Sequence, residues 1–131
     1  MSNIHKIWGE RRRILLTDTS EIDMLYLRPN SFCSTHNHKN KINRFIVLSG
    51  RVQIDTEYGT TILEKDDSFE VAPPLVHRFM ALEQSVMIEC AYVNEGKIDP
   101  NDINRIRQGG RIYKGKSMTL VEMRKKGLLK I

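Results

Sequence analysis

Turn signals cut residues 22–93 into short extended segments, and this punctuation constrains the fold more than any other feature of the chain. Ile22, Met24 and Tyr26 alternate with Asp23, Leu25 and Leu27. Arg44 to Leu48 is a compact apolar segment closed by Ser49-Gly50, and Val52 and Ile54 then alternate with Arg51, Gln53 and Asp55. Tyr58-Gly59 marks a turn before Thr60 to Leu63, and Lys65-Asp66-Asp67 breaks the chain again before Phe69 and Val71. Pro73-Pro74 stops ladder pairing, because proline has no N–H to donate. Ser85 to Val93 is a further segment rich in β-branched and apolar residues. Short strands at such even spacing build a sandwich or a barrel.

The chain has 131 residues, enough for one domain and a tail but not for separate cofactor and substrate lobes. A domain of this size buries about two-thirds of its unfolded surface, so it needs no disulfides. Cys33 and Cys90 accordingly read as free thiols in the core, in a reducing cytoplasm. The longest apolar runs, such as Phe45 to Leu48, are too short to cross a bilayer, and the first thirteen residues lack the apolar core of a secretory signal. A cytoplasmic protein with no membrane partner is expected.

The net charge of +5 is unevenly distributed. Nine of the 21 Lys and Arg lie in residues 105–131, where Glu122 is the only acid, so the preceding part is mildly acidic. This concentration, without interleaved aromatic residues, argues against a nucleic-acid-binding surface. Helical signals come late. Asp99-Pro100 suggests a cap before one or two turns over Asn101 to Ile106. Thr119 and Glu122 fit a capping box, with Gly127 as the stop.

Three histidines occupy informative positions. His36 and His38 are two residues apart and share a face if the segment is extended. His77 follows the proline turn, where the chain re-enters a strand. Three converging neutral imidazoles can hold Zn²⁺, Fe²⁺, Mn²⁺, Ni²⁺, Co²⁺ or Cu²⁺. By spacing alone they fit equally well as structural histidines.

His36 and His38, followed by Asn43 and Gly50, resemble the first motif of the cupins, HxH-x(3,4)-E-x6-G, in all but one position. Asp66, Asp67, Pro73, Pro74 and His77 resemble the second. The implied fold is all-β, a double-stranded β-helix or jelly-roll barrel, with short C-terminal helical segments. A closer resemblance is to the cupin domain of type II phosphomannose isomerases, often fused to mannose-1-phosphate guanylyltransferases. Ile7-Trp8-Gly9 stands at their Pro-Trp-Gly, Ile88-Glu89-Cys90-Ala91 at a later strand, Pro100 to Arg105 at an acidic segment, and Gly110-Arg111 at a closing Gly-Arg. The barrel is therefore expected over residues 5–111, with a basic tail, partly helical, over 112–131, and with no guanylyltransferase half.

The resemblance implies a divalent metal (Zn, Mn, Fe, Ni or Co) on His36, His38, His77 and Asn43. It implies catalytic roles for Lys41, Glu89 and Arg105, and contact of a sugar phosphate with Lys41, Arg105 and Arg111. A homodimer is expected, as cupins commonly pair through an open sheet edge. Asn43 replaces the usual glutamate ligand, and Lys41 replaces an arginine, keeping charge but losing bidentate phosphate recognition. Asn43 has a second reading, as a residue that fixes a histidine tautomer, and Glu89 could replace the missing carboxylate. Arg44, Arg51 and Arg78 read as solvated charges, and His5 as exposed. Trp8 reads as packing on the barrel end or stacking on a sugar. Four functions stay open: a mannose-6-phosphate isomerase-like enzyme, a non-catalytic sugar- or anion-binding module, a three-histidine oxygenase, and, last, a nucleic-acid binder.

Overall fold

Strict alternation along the strands places one side chain in two inside the molecule, and the apolar ones meet between two sheets. The computed structural model describes residues 3–112 and 118–129. In chain order the strands are β1 (Ile4–Lys6), β2 (Gly9–Leu16), β3 (Ser20–Leu27), β4 (Ser31–Phe32), β5 (Thr35–Asn37), β6 (Ile42–Ser49), β7 (Val52–Thr56), β8 (Gly59–Leu63), β9 (Ser68–Val71), β10 (His77–Ala81), β11 (Ser85–Tyr92), β12 (Asn104–Arg107) and β13 (Gly110–Arg111). One helix, α1 (Leu120–Lys125), follows. The first sheet runs β1-β2-β3-β11-β6-β9, and the second β12-β5-β10-β4-β13, with β7 pairing β10 and β8. Every pairing is antiparallel. This is the expected jelly-roll.

The inner face of the first sheet changes character along its length, and that change creates the site. Register places Leu25 opposite Met87 and Met87 opposite Val47, all buried and apolar. Two residues along, the row is Asp23, Glu89 and Phe45, and two further it is Glu21, Ala91 and Asn43. One end of the interior is thus a hydrophobic core, and the other is lined with carboxyl and amide groups. Trp8 belongs to the core, edge-on to Phe79 with ring centroids 5.2 Å apart. Gly9 follows it at φ +147°, where a Cβ would collide with the Tyr26 carbonyl. A side chain there would force β2 away from β3.

Several expectations are corrected. Residues 104–107 form β12 instead of helical turns. The Asp99 carboxylate accepts the Asn101 N–H at 2.9 Å, but the Asx turn it makes leads into a strand. Arg78 is not solvated but buried with Asp55, Nε to Oδ2 3.0 Å. Cys90 lies half-buried on the outer face, whereas Cys33 is in the core. Arg44 and Arg51 sit in exposed pairs with Glu70 and Glu64, and His5 is exposed beside Glu10.

The tail region is not simply solvated. Thr119 Oγ1 accepts the Glu122 N–H at 3.2 Å, and Gly127 at φ +71° ends the helix, as its sequence suggests. Leu120 and Met123 are buried with Val76, so α1 docks on the barrel through its apolar side and leaves Lys125 and Lys126 in water. Residues 113–117 and 130–131 of the basic tail lie outside the described residues. No described helix is long and apolar enough to cross a membrane.

Candidate metal centre and cavity

Pairing of β5 with β10 places His77 directly opposite His36, and the extended backbone turns His38 toward both. Ring centroids lie 4.5 Å apart for His36 and His77, 5.0 Å for His36 and His38, and 5.3 Å for His38 and His77. One nitrogen from each ring lies within 4.8 Å of the others. The opposite nitrogens are tied to backbone carbonyls. Nδ1 of His36 lies 2.7 Å from the Ser34 oxygen, that of His38 2.6 Å from Asp102, and that of His77 2.9 Å from Leu75. A carbonyl only accepts, so each Nδ1 carries the proton and each Nε2 keeps its lone pair.

These rings are built to be neutral. Burial holds His36 well below the usual histidine range, helped by His77 and His38, and burial takes His77 down to about 4. His38 is also lowered by burial, against the pull of its Asp102 hydrogen bond. The His77 Nε2 is buried with no hydrogen-bond partner among the described residues, an arrangement that costs free energy unless something electrophilic meets it. Three fixed, neutral imidazoles with convergent lone pairs fit a divalent transition metal.

Asn43 behaves differently from a ligand. Its Nδ2 lies 3.0 Å from His38 Nε2 and donates to Glu89 Oε2 at 3.1 Å, while its Oδ1 has no partner among the described residues. The amide lies between the His38 imidazole and the Glu89 carboxyl. Asn43 thus presents an N–H to the cluster.

Glu89 lies deep in the barrel but lines the cavity. Burial, reinforced by Asp23, raises its pKa to about 7, with Lys41 and Arg11 opposing. The sign of the linkage follows: the native state holds this proton between about pH 4.5 and 7 while the unfolded chain has released it. Stability is therefore lost as pH rises through that window. Glu89→Gln should stabilise the chelated protein at pH 8 by roughly 3 kcal/mol more than at pH 4, as read by urea unfolding. A difference between variant and wild type that does not change with pH contradicts this.

His36 and His38 open onto a cavity of about 290 Å³ lined by residues of both sheets, whereas His77 is not part of that lining. Lys41, Glu89, Arg105 and Asn43 all line it, but Arg111 does not, and its Nε donates to the Ile7 carbonyl at 3.3 Å. Lys41 is buried and spends its charge on Glu21, Nζ to Oε1 3.2 Å. Arg13 bridges the same carboxylate at 2.9 Å and Asp23 at 2.5 Å. Glu21, Asp23, Lys6 and Arg11 also line the cavity, and sequence reading missed them. The available signal was Glu21 and Asp23 in phase with Leu25 and Leu27, which places charge on the buried face of β3. Asp102 was missed too. Its carboxylate accepts the N–H groups of Lys39, Asn40 and Lys41 at 2.7, 2.8 and 3.0 Å, and its carbonyl orients His38.

Two facing antiparallel sheets with three imidazoles at the polar end of their interior define a cupin. An RmlC-like cupin from Shewanella frigidimarina superposes with a TM-score of 0.60 at 15% identity, covering 66% of this chain and 77% of that one. The capsular polysaccharide assembling protein CapF of Staphylococcus aureus gives 0.66 at 20% identity, over 79% of this chain and 32% of CapF. Within that class the chain belongs to the family described as Mannose-6-phosphate isomerase C-terminal, which matches residues 1–108. A mannose-1-phosphate guanylyltransferase from Sinorhizobium fredii is 25% identical over 105 residues, 79% of this chain. The match spans about a fifth of that relative's length, 20%.

Proposed function

We propose that this domain binds a divalent metal through His36, His38 and His77, takes a phosphorylated sugar in the adjoining cavity, and interconverts aldose and ketose in the manner of mannose-6-phosphate isomerase. The observation that carries the reading is the convergence of three Nε2 lone pairs whose tautomers are set by Ser34, Asp102 and Leu75. A metal bound there would supply Lewis acidity toward a sugar carbonyl and its neighbouring hydroxyl. Glu89, facing the cavity with a pKa of about 7, is suited to carry a proton between adjacent carbons at neutral pH. Lys41, held by Glu21, forms part of the wall, and Arg105 offers its charge at the mouth. Membership of the mannose-6-phosphate isomerase family supports the substrate class.

The test is a coupled assay of mannose 6-phosphate and fructose 6-phosphate interconversion with Zn²⁺, Mn²⁺ or Co²⁺. Glu89→Gln is expected to lower kcat by about 10²-fold or more with KM nearly unchanged. Turnover no higher than that of a His36→Ala/His77→Ala double variant would reject the isomerase reading.

One observation favours a second reading, a module that binds without catalysis. The Asn43 amide N–H occupies the lone pair of His38 that a metal would need. Thermal stabilisation by mannose 6-phosphate, with no turnover in any metal, would select it.

A further inference from the structure

The cations around the cavity fall into two groups. Lys41 and Arg13 are matched to Glu21 and Asp23, and Arg111 is tied to a backbone carbonyl outside the lining. Lys6, Arg11 and Arg105 all line the cavity, yet among the described residues none of them forms an ion pair. The Arg11 Nε is buried with no hydrogen-bond partner among the described residues. A guanidinium N–H withdrawn from water without an acceptor is costly, and the missing partner is an anion.

The three charges come from separate parts of the chain. Lys6 is on β1, at the edge of the first sheet, and Arg11 on the neighbouring β2, while the exposed Arg105 is on β12, at the edge of the second. They nevertheless feel one another. Burial lowers the Lys6 ammonium, and Arg11 and Arg105 lower it further, with Glu89 opposing. Folding has gathered three cations around a hollow in which Glu89 can offset only one charge, and a bound anion would offset the others. Arg105 also sits opposite His36 in the β12–β5 ladder, which ties this cluster to the histidine end of the cavity.

We propose that Lys6, Arg11 and Arg105 form the anion subsite of the cavity and hold the phosphate of a phosphate monoester whose oxygen-rich end reaches the three histidines. The second half of that statement rests on the proposed function, whereas the phosphate subsite stands without it. A guanidinium pair can grip a phosphate through several N–H donors, and the ammonium adds a point charge. Lys41 and Arg111 are not part of this subsite.

The test is calorimetric titration of inorganic phosphate at low ionic strength into the full chain, with and without chelator. Lys6→Ala, Arg11→Ala and Arg105→Ala should each weaken phosphate binding by about tenfold or more, and Arg11→Lys should recover part of the loss. Arg12→Ala, on the exposed side of β2, and Arg111→Ala should leave it unchanged. Affinity should fall with added salt. Absence of saturable phosphate binding, unaltered affinity in the three variants, or equal weakening by Arg12→Ala would overturn the subsite, as would acetate binding as tightly as phosphate. Metal binding is scored separately. Loss of phosphate binding in these variants with no metal uptake by wild type rejects the metal reading alone, and normal metal uptake with unaltered phosphate affinity rejects the subsite alone.

Discussion

Replacement of any one of His36, His38 or His77 by alanine will take divalent metal content from roughly one equivalent per chain to less than about a tenth after desalting. The three rings act as a unit, because each supplies one lone pair and no acidic side chain joins their cluster among the described residues. Two remaining imidazoles leave the cation with neither enough donors nor any neutralising charge. The size of the loss is sharpened by Asn43, whose N–H faces the cluster where the family's usual residue would offer an oxygen. Folding is controlled by a second readout. Metal at a hundredfold excess over its Kd stabilises the native state by about 2.7 kcal/mol, so chelation should lower the Tm of the wild type by several degrees. The variants should melt near the chelated wild type and ignore added metal. His77 is the most buried of the three, so His77→Gln accompanies His77→Ala to retain volume. Undiminished metal in all the variants, with native melting, would show that the cluster is not the metal site.

Much of this site was legible because its geometry follows from a period of two. His36 and His38 share a face in any extended segment, and the proline turn before His77 marks where the partner strand begins. The strands over 22–93 were readable for the same reason, and Thr119, Glu122 and Gly127 marked the helix. The polar half of the interior was harder to see. Alternation in β3 separates Ile22, Met24 and Tyr26 from Glu21, Asp23, Leu25 and Leu27, but does not say which set faces inward. The acidic set does, because Arg13 and Lys41 from other strands neutralise it. Such pairings join residues eight to twenty positions apart and leave no periodic trace. β2 was obscured by a bulge between Arg13 and Leu15, which puts Ile14, Leu15 and Leu16 all in contact with water. Arg105 reads as part of a helical turn because Asp99-Pro100 begins turns and helices alike.

Arg78 illustrates the same limit with the largest consequence for stability. From sequence it is one more surface charge, yet it and Asp55 are almost completely buried, with side chains 2% and 0% exposed. Both carboxylate oxygens of the pair are satisfied. Asp55 Oδ2 accepts Arg78 Nε at 3.0 Å, and Asp55 Oδ1 accepts Gln53 Nε2 at 2.8 Å and Thr60 Oγ1 at 3.0 Å. Arg78 Nη2 donates to the Met118 carbonyl at 2.6 Å, and its guanidinium lies 5.0 Å from the centre of the Phe32 ring. Asp55→Ala removes one charge and strands the other in a dry interior, so it should cost about 3–5 kcal/mol and lower the Tm by on the order of 10–20 °C. Because Arg78 holds the segment leading into α1, the variant should also expose residues 118–129 to limited proteolysis before the barrel unfolds. The double change Asp55→Leu/Arg78→Met should recover most of the loss in barrel stability, since a well-packed apolar pair avoids the desolvation cost. It cannot restore the Met118 contact, so rapid cleavage of the C-terminal segment should persist. Proteolysis restored together with the Tm would mean that Leu120 and Met123, packed on Val76, hold the helix without the ion pair.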